Sequence, residues 1–355
     1  GQQYILEIFA LLAKQHPQHS FVFLFEKPFV SSVIFDDNVT TVVTASPGEK
    51  PLLWRLWYDF KLPAILKKYK ADVLITTGIC SMRTKIPQCL LIDNSFLQYP
   101  QFFLKSHFNF YKKNTPRFLK KAKVILTGSQ FSKKNIEGKY KTEAGKIDVA
   151  YAVVNELFVP VKFDERENTK AKYAEGNEYF LFTGNITPKN NLLNLLKAFS
   201  FFKKRQKSNM RLLICGELGW KHEEFLESLR LFKFKNEVTL YSDLQKEELA
   251  KITASCYAMV NVSYFQNFET APVVAMKCEI PLITNDAGNM HEMSADAALY
   301  INPNDHKDIA EKMMQLFKDE DLRKQLIKKG KLRVQKYKMD NTVSSFWNSI
   351  LKTSG

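Results

Sequence analysis

At 355 residues the chain is too long for one ordinary core, and its length implies two domains of roughly 150 residues each. A hydrophobic fraction of 45% with only 13 Gly and 13 Pro excludes a disordered or fibrous chain, and no run approaches the roughly 18 apolar residues of a membrane helix. The net charge of +15 is uneven, with 22 Lys+Arg against 11 Asp+Glu in residues 1–150 and 30 against 26 in the rest, so the first half suits an anionic partner such as a nucleic acid, a membrane surface or a phosphorylated substrate.

In chain order, an amphipathic helix over Tyr4–Lys14 is followed by strand candidates at Phe21–Phe25 and Val39–Ala45, a helical stretch at Pro51–Tyr69, and strands at Asp72–Thr77 and Gln88–Asp93. Helical patterns at Gln101–Lys121 and Ser132–Tyr140 then flank a strand at Val124–Ser129, and Ile147–Val153 closes the first half. In the second half the strands are Tyr179–Gly184, Arg211–Gly216, Glu237–Ser242, Tyr257–Ser263, Ile280–Asn285 and Ala298–Ile301. The helices among them are Leu192–Arg205, His222–Leu231, Lys246–Ala254, Pro272–Cys278 and Lys307–Phe317. Continuous apolar strands alternating with amphipathic helices predict parallel sheets covered on both faces, that is, two doubly wound α/β domains in tandem. The charged stretch Val161–Gly176 reads as the linker, which gives domains at 1–160 and 177–338 and a last segment at 339–355. Sheets of this kind bind ligands beyond the carboxyl ends of their strands.

The five cysteines (Cys80, Cys89, Cys215, Cys256, Cys278) show no C-x-x-C spacing, so no disulfide framework or zinc site is indicated and a reducing cytoplasm is the simplest compartment. No G-x-G-x-x-G, Walker-A, H-E-x-x-H or G-x-S-x-G motif occurs, and the histidines stand apart from the cysteines, so neither a metal nor an organic cofactor is expected. Between Asp93 and Glu137 lie nine basic residues, no acidic one, and nine Phe or Tyr. Within this stretch, Gln101–Lys123 reads either as a peripheral surface for an anionic membrane or as a helix whose aromatics face the core while its lysines face water, and the second reading is favoured. Nucleic-acid binding rests on charge alone, with no recognition motif beside it.

Three segments carry the most information. Tyr179-Phe-Leu-Phe-Thr-Gly-Asn-Ile-Thr-Pro-Lys-Asn-Asn191 is a strand that ends in Gly184 and enters a helix. Ser263-Tyr-Phe-Gln-Asn-Phe-Glu-Thr-Ala-Pro-Val-Val-Ala-Met-Lys-Cys-Glu-Ile-Pro281 is a strand end, a loop and a helix opened by Pro272. Ile280–Asp286, with His291-Glu292 and Ala295–Leu299, continues it. Together these resemble the carboxy-terminal domain of glycosyltransferase family four. The order and spacing of Leu11–Pro28, Pro51–Ile75 and Thr127–Ser132 are similar to that family's acceptor domain. The resemblance implies a GT-B fold, two Rossmann-like domains facing each other across a cleft. It also implies retaining transfer of a sugar from a UDP- or GDP-linked donor to a glycan or lipid-linked acceptor. The family's first strand and Gly-rich loop are expected before Gly1, and a closing helix at Asp340–Leu351 is expected to return to the first domain.

The resemblance places the donor near Gly184, Lys189, Gln266 and Thr270, where helix starts offer unpaired N–H groups to a diphosphate. The family's Arg just after the strand-ending glycine is Asn185 here, and its Lys five residues on is Asn190, beside Lys189. Its two glutamates eight positions apart become Gln266 and Val274, and its glycine before the helix becomes Glu269. In the first domain no histidine stands in register after Ile92; Asp93 and Asn94 are nearest. Two readings therefore stay open: an active transferase, or a catalytically degenerate homologue that binds a glycan or a partner.

Overall fold

A computed structural model of the chain describes residues 2–26, 35–45, 48, 50–92, 98–265, 268, 270–286 and 288–355. The chain divides into two compact units, Gly1–Ala152 with Met339–Gly355, and Val153–Lys338.

The first unit runs α1 (Gln2–Gln15), β1 (Phe21–Phe25), β2 (Val39–Val43), α2 (Pro51–Leu56), a π turn at Trp57–Lys61, α3 (Leu62–Lys68), β3 (Leu74–Thr77), β4 (Gln88–Leu91), α4 (Lys105–Lys121), β5 (Val124–Thr127), α5 (Gln130–Tyr140) and β6 (Ile147–Val149). Strands β1 and β2 form a parallel pair, and β3-β4-β5-β6 form a parallel sheet in that order. Every residue of β4 and β5 is buried, which is why these segments read as unbroken apolar runs. Helix α4 turns Phe118 and Leu119 into the core, with Phe110 and Tyr111 packed against it, while Lys112, Lys113 and Lys120 are exposed. The π turn has a local cause. Pro63 has no N–H to donate, and the helix widens just before it, with Leu62 N–H reaching Trp57 O five residues back.

The second unit runs α6 (Phe163–Ala174), β7 (Tyr179–Thr183), α7 (Leu192–Gln206), β8 (Arg211–Cys215), α8 (Glu223–Arg230), β9 (Val238–Tyr241), α9 (Lys246–Ser255), β10 (Ala258–Asn261), α10 (Ala271–Lys277), β11 (Leu282–Asn285), α11 (Gly288–Ser294), β12 (Ala298–Ile301), α12 (His306–Lys318) and α13 (Glu320–Arg333). Its sheet is parallel throughout, in the order β12-β11-β10-β7-β8-β9. Strand β7 shows why both faces are dry. Phe180 and Phe182 join Phe199, Phe202, Leu212, Ile309 and Met313 on one side; Tyr179 and Leu181 join Leu213, Ile252, Met259 and Ala275 on the other. From β7 the chain winds outward through β8 and β9, then returns to β10 on the other side of β7. The winding direction therefore reverses between β7 and β10, and a ligand crevice belongs at the carboxyl ends of those two strands.

The charged stretch expected as a linker is corrected by the structure: 161–176 lies inside the second unit, and most of it is α6. A narrow apolar stripe suffices to dock this helix. Ala174 is buried in the core, Tyr173 packs edge-on against Tyr241 at 5.5 Å, and the Tyr173 hydroxyl donates to Glu248 on α9. The change of unit falls at 152/153. The last helix, α14 (Met339–Ser354), belongs to the first unit. Phe346 meets Phe9 edge-on at 5.7 Å, Thr342 Oγ1 donates to Tyr151 O at 3.0 Å, and Ser349 Oγ donates to Asp148 at 3.0 Å.

Candidate functional site

The loop after β7 runs alongside the loop after β8. Gly184 N–H donates to Cys215 O at 2.9 Å, Ile186 N–H to Glu217 O at 2.8 Å, and Gly219 N–H returns to Ile186 O at 3.0 Å. This zipper brings two backbones together where no side chain fits. A Cβ on Gly216 would overlap Gly184 O and lie 2.5 Å from the Gly184 carbonyl carbon. Gly184 itself has φ +145°, a conformation that favours glycine.

Three asparagines tie the switch-point loops to one another. Asn190 is buried; its Nδ2 donates to Asn185 O at 2.6 Å, and its Oδ1 accepts from Ser263 Oγ at 3.1 Å. Asn191 sits in the left-handed region at φ +59° and donates from Nδ2 to Val262 O at 3.1 Å and Pro303 O at 2.6 Å. Asn285, at the end of β11, donates to Ser263 O and, at 3.4 Å, to Tyr264 O. Tyr264 N–H in turn donates to Lys189 O at 2.9 Å. Asn191→Ala is expected to cost about 1–3 kcal/mol, because it strips a donor from the buried Val262 carbonyl, leaves Pro303 O to Asn194 Nδ2 alone, and puts a β-carbon residue without a local polar group at positive φ. Urea unfolding checks this, and Asn191→Gly, which relieves only the backbone part, should lose less.

Of the residues picked from sequence, Gly184, Asn185, Lys189 and Asn190 share the loop after β7, beside the switch point. Asn185 is exposed, and the Lys189 ammonium stands 5.5 Å from the Phe265 ring centre, in the range of a cation–π contact. Thr270 precedes α10, makes no side-chain cap, and is followed by Pro272 in the first turn. Val274 is buried in the apolar cluster with Tyr179, Leu181 and Ala275. Gln266, Glu269, Asp93 and Asn94 lie outside the described residues. Sequence reasoning missed the supporting set Gly216, Gly219, Ser263 and Asn285, although Gly-x-x-Gly directly after a strand was a signal it could have used. It also missed a pair just past β11, where His291 Nδ1 lies 2.6 Å from Asp286 Oδ1 while its ring stacks on Tyr300 with centroids 4.9 Å apart.

The cysteines add no nucleophile to this arrangement. All five are buried, and burial alone pushes the Cys215 thiol up to about 12, so it stays protonated. Among the described residues no group of three or more His, Cys, Asp or Glu is placed to hold a metal ion. Among the described residues the arrangement is a set of interlocked backbone amides and carboxamides at the carboxyl ends of a Rossmann-like sheet, with Lys189 on the same loop.

This architecture is the GT-B class. Over 98% of this chain and 92% of the other, it superimposes on sucrose-phosphate synthase from Thermosynechococcus elongatus with a TM-score of 0.79 at 17% identity. Residues 164–333, almost all of the second unit, match the family described as glycosyl transferases group 1. O-antigen chain mannosyltransferase RfbU of Salmonella typhimurium is 27% identical over 282 residues, 78% of this chain and 74% of that protein. O-antigen chain mannosyltransferase B of Escherichia coli is 22% identical over 258 residues, covering 72% and 68%. The chain thus has a GT-B fold, and its second unit is similar to the glycosyl transferases of group 1.

Proposed function

We propose that the protein is a retaining glycosyltransferase that takes mannose from a nucleotide-linked donor and passes it to a glycan or lipid-linked acceptor during polysaccharide assembly. The observation that carries this reading is the family match over 164–333, the stretch that supplies every loop at the switch point. Mannose is the first sugar to test because both bacterial relatives above are named as mannosyltransferases. The donor diphosphate is assigned to the carboxyl ends of β7 and β10, with Lys189 as its cation and Gln266, Thr270 and nearby backbone N–H groups as further partners. A retaining transfer needs the leaving diphosphate stabilised more than it needs a protein nucleophile, so fixed donors and charge dominate the chemistry. The buried free cysteines fit a reducing compartment, and the reaction is assigned to the cytoplasm. Among the described residues no helix is long and apolar enough to cross a membrane.

A specific observation favours the second reading, a degenerate homologue that binds a glycan or a partner. The Asn190 carboxamide, at the family's lysine position, is committed to Asn185 O and Ser263, and Val274, at a family glutamate position, is in the core. Each lost charge-assisted contact costs about 1.5–3 kcal/mol, so two lost cations weaken a donor by roughly two to four decades. Calorimetric titration with GDP, UDP and their mannose and glucose conjugates at low salt decides between the two. Micromolar, base-selective binding followed by transfer with retained anomeric configuration is expected of the enzyme. Folded protein that binds none of them up to millimolar concentration sinks the transferase reading and leaves the second.

A further inference from the structure

Charge is segregated within the second unit. Residues 151–355 carry 30 Lys+Arg against 26 Asp+Glu, yet between Glu178 and Glu217 there are seven basic residues and no acidic one, and between Glu227 and Glu237 three and none. The fold sets these two stretches side by side, with α7 lying along α8 and the turn that leads from it to β9. Two of the basic residues serve the fold: Lys203 is buried and pairs with Glu237, and Arg211 pairs with Glu175 at 2.6 Å. Lys197, Lys204, Lys207, Lys233 and Lys235 are exposed, and among the described residues none of them is in an ion pair.

A groove runs along this face. One half is a hollow of about 380 Å³ floored by Leu193, Leu196, Phe201 and Phe232 and edged by Lys197 and Lys204. The other, of about 490 Å³, continues from Lys204 to Lys207, Lys233 and Phe234. Both lie open to solvent, which suits a segment of chain laid lengthwise and not an enclosed small molecule. Leu193, Lys197, Ser200 and Lys204 follow one another at spacings of four, three and four residues, so they share one face of α7, with the two lysines about two turns apart. We propose that this groove docks an acidic amphipathic helix of a partner protein, with the partner's apolar face on Leu193, Phe201 and Phe232 and its carboxylates on Lys197 and Lys204. Charge complementarity selects this occupant, because the rim is basic on both sides while the floor is apolar. A nucleic acid strand would satisfy the lysines and leave the leucine floor without an apolar partner. A flat bilayer does not reach a floor in which Leu196 is 3% exposed. A second copy of the chain in a two-fold contact would set lysines against lysines.

Fluorescence anisotropy of the full chain tests this without any need for sugar transfer. The probe is a labelled synthetic peptide of about three heptads, with Leu along one face and Glu on its flanks, and the control is a scrambled peptide of the same composition. The wild type is expected to bind the probe at micromolar concentration and at least tenfold more tightly than the control. Lys197→Glu with Lys204→Glu should weaken binding at least tenfold while leaving the thermal unfolding midpoint unchanged, because both side chains already face water. The same double variant should prefer a probe with Lys in place of Glu, which the wild type repels. Ser200→Asp, which sets a carboxylate in the groove between the two lysines, should weaken binding several-fold, and Lys112→Glu with Lys113→Glu in the first unit should leave it intact. Equal binding of probe and scrambled peptide overturns the proposal by reducing this face to diffuse charge. A wild type that ignores the peptide but binds a single-stranded oligonucleotide or phosphatidylglycerol vesicles through Lys197 and Lys204 also overturns it. So does a dimer in sedimentation velocity that the double variant dissolves, by giving the groove to a second copy.

Discussion

Replacing Gly216 by alanine is expected to destabilise the second unit by about 3 kcal/mol or more, because the added methyl group must displace backbone and not a movable side chain. Its Cβ would fall on the Gly184 carbonyl and 3.1 Å from Asn185 N, where the loops after β7 and β8 are held together by Gly184 N–H to Cys215 O and Ile186 N–H to Glu217 O. Relieving the clash pulls that zipper apart, so any affinity for a nucleoside diphosphate should fall together with stability. Two further glycines calibrate the measurement. At Gly219 the first obstacle is the Thr187 methyl at 2.5 Å, then Ile186 O at 3.2 Å, so alanine there should cost less. At Gly138, inside α5, nothing lies within 4 Å, and alanine should stabilise the first unit by about 0.5–1 kcal/mol through helix propensity and reduced unfolded-state freedom. Urea unfolding of the three variants should rank them Gly138→Ala, Gly219→Ala, Gly216→Ala from most to least stable. A Gly216→Ala protein as stable as wild type would mean that the two loops do not approach as described.

The strands were legible in the sequence because a sheet covered on both faces leaves no room for polar alternation: Phe180 and Leu181 are both buried although they point to opposite sides. Helices that dock by a thin stripe were harder to read. Helix α6 carries Asp164, Glu165, Arg166, Glu167, Lys170 and Lys172 and was read as a linker, and α13 was not recognised because Leu326 and Gly330 are its buried residues. Gly330 permits a close approach, since a Cβ there would stand 3.1 Å from Met276 Cγ on α10 and the methionine would have to shift. The candidate site divides in the same way. Gly184 is legible because a strand running through a glycine into a helix is a local pattern, whereas Lys189 enters only through the resemblance to glycosyltransferase family four. Asn285 is not legible, because what it does depends on a loop from another strand, and Gly216 shows only in a Gly-x-x-Gly pattern that does not say which backbone it must meet.

Asn185→Arg is expected to raise the affinity for a nucleoside diphosphate by about 10- to 100-fold, the equivalent of one charge-assisted contact of about 1.5–3 kcal/mol. The position permits the change. Asn185 is exposed, its carbonyl already accepts from Asn190 Nδ2, and a guanidinium can extend from the loop without displacing that bond. The neighbouring reversion behaves differently. Asn190 is buried, with its carboxamide joining Asn185 O to Ser263 Oγ, so Asn190→Lys must forfeit both bonds and carry an ammonium out of a packed position. It should lose about 2–4 kcal/mol of stability, and a gain in affinity is not expected to survive that loss. The contrast separates the two positions physically: the side chain at 190 joins two loops of the fold, while the one at 185 is exposed. Calorimetric titration of Asn185→Arg with GDP and UDP at low salt, repeated at high salt, measures the effect. The gain should shrink as screening rises, since the Debye length falls to about 3 Å at 1 M. An arginine that leaves affinity unchanged in a folded protein would remove the diphosphate from the carboxyl end of β7. The homologous fold would then be retained here for a ligand held elsewhere.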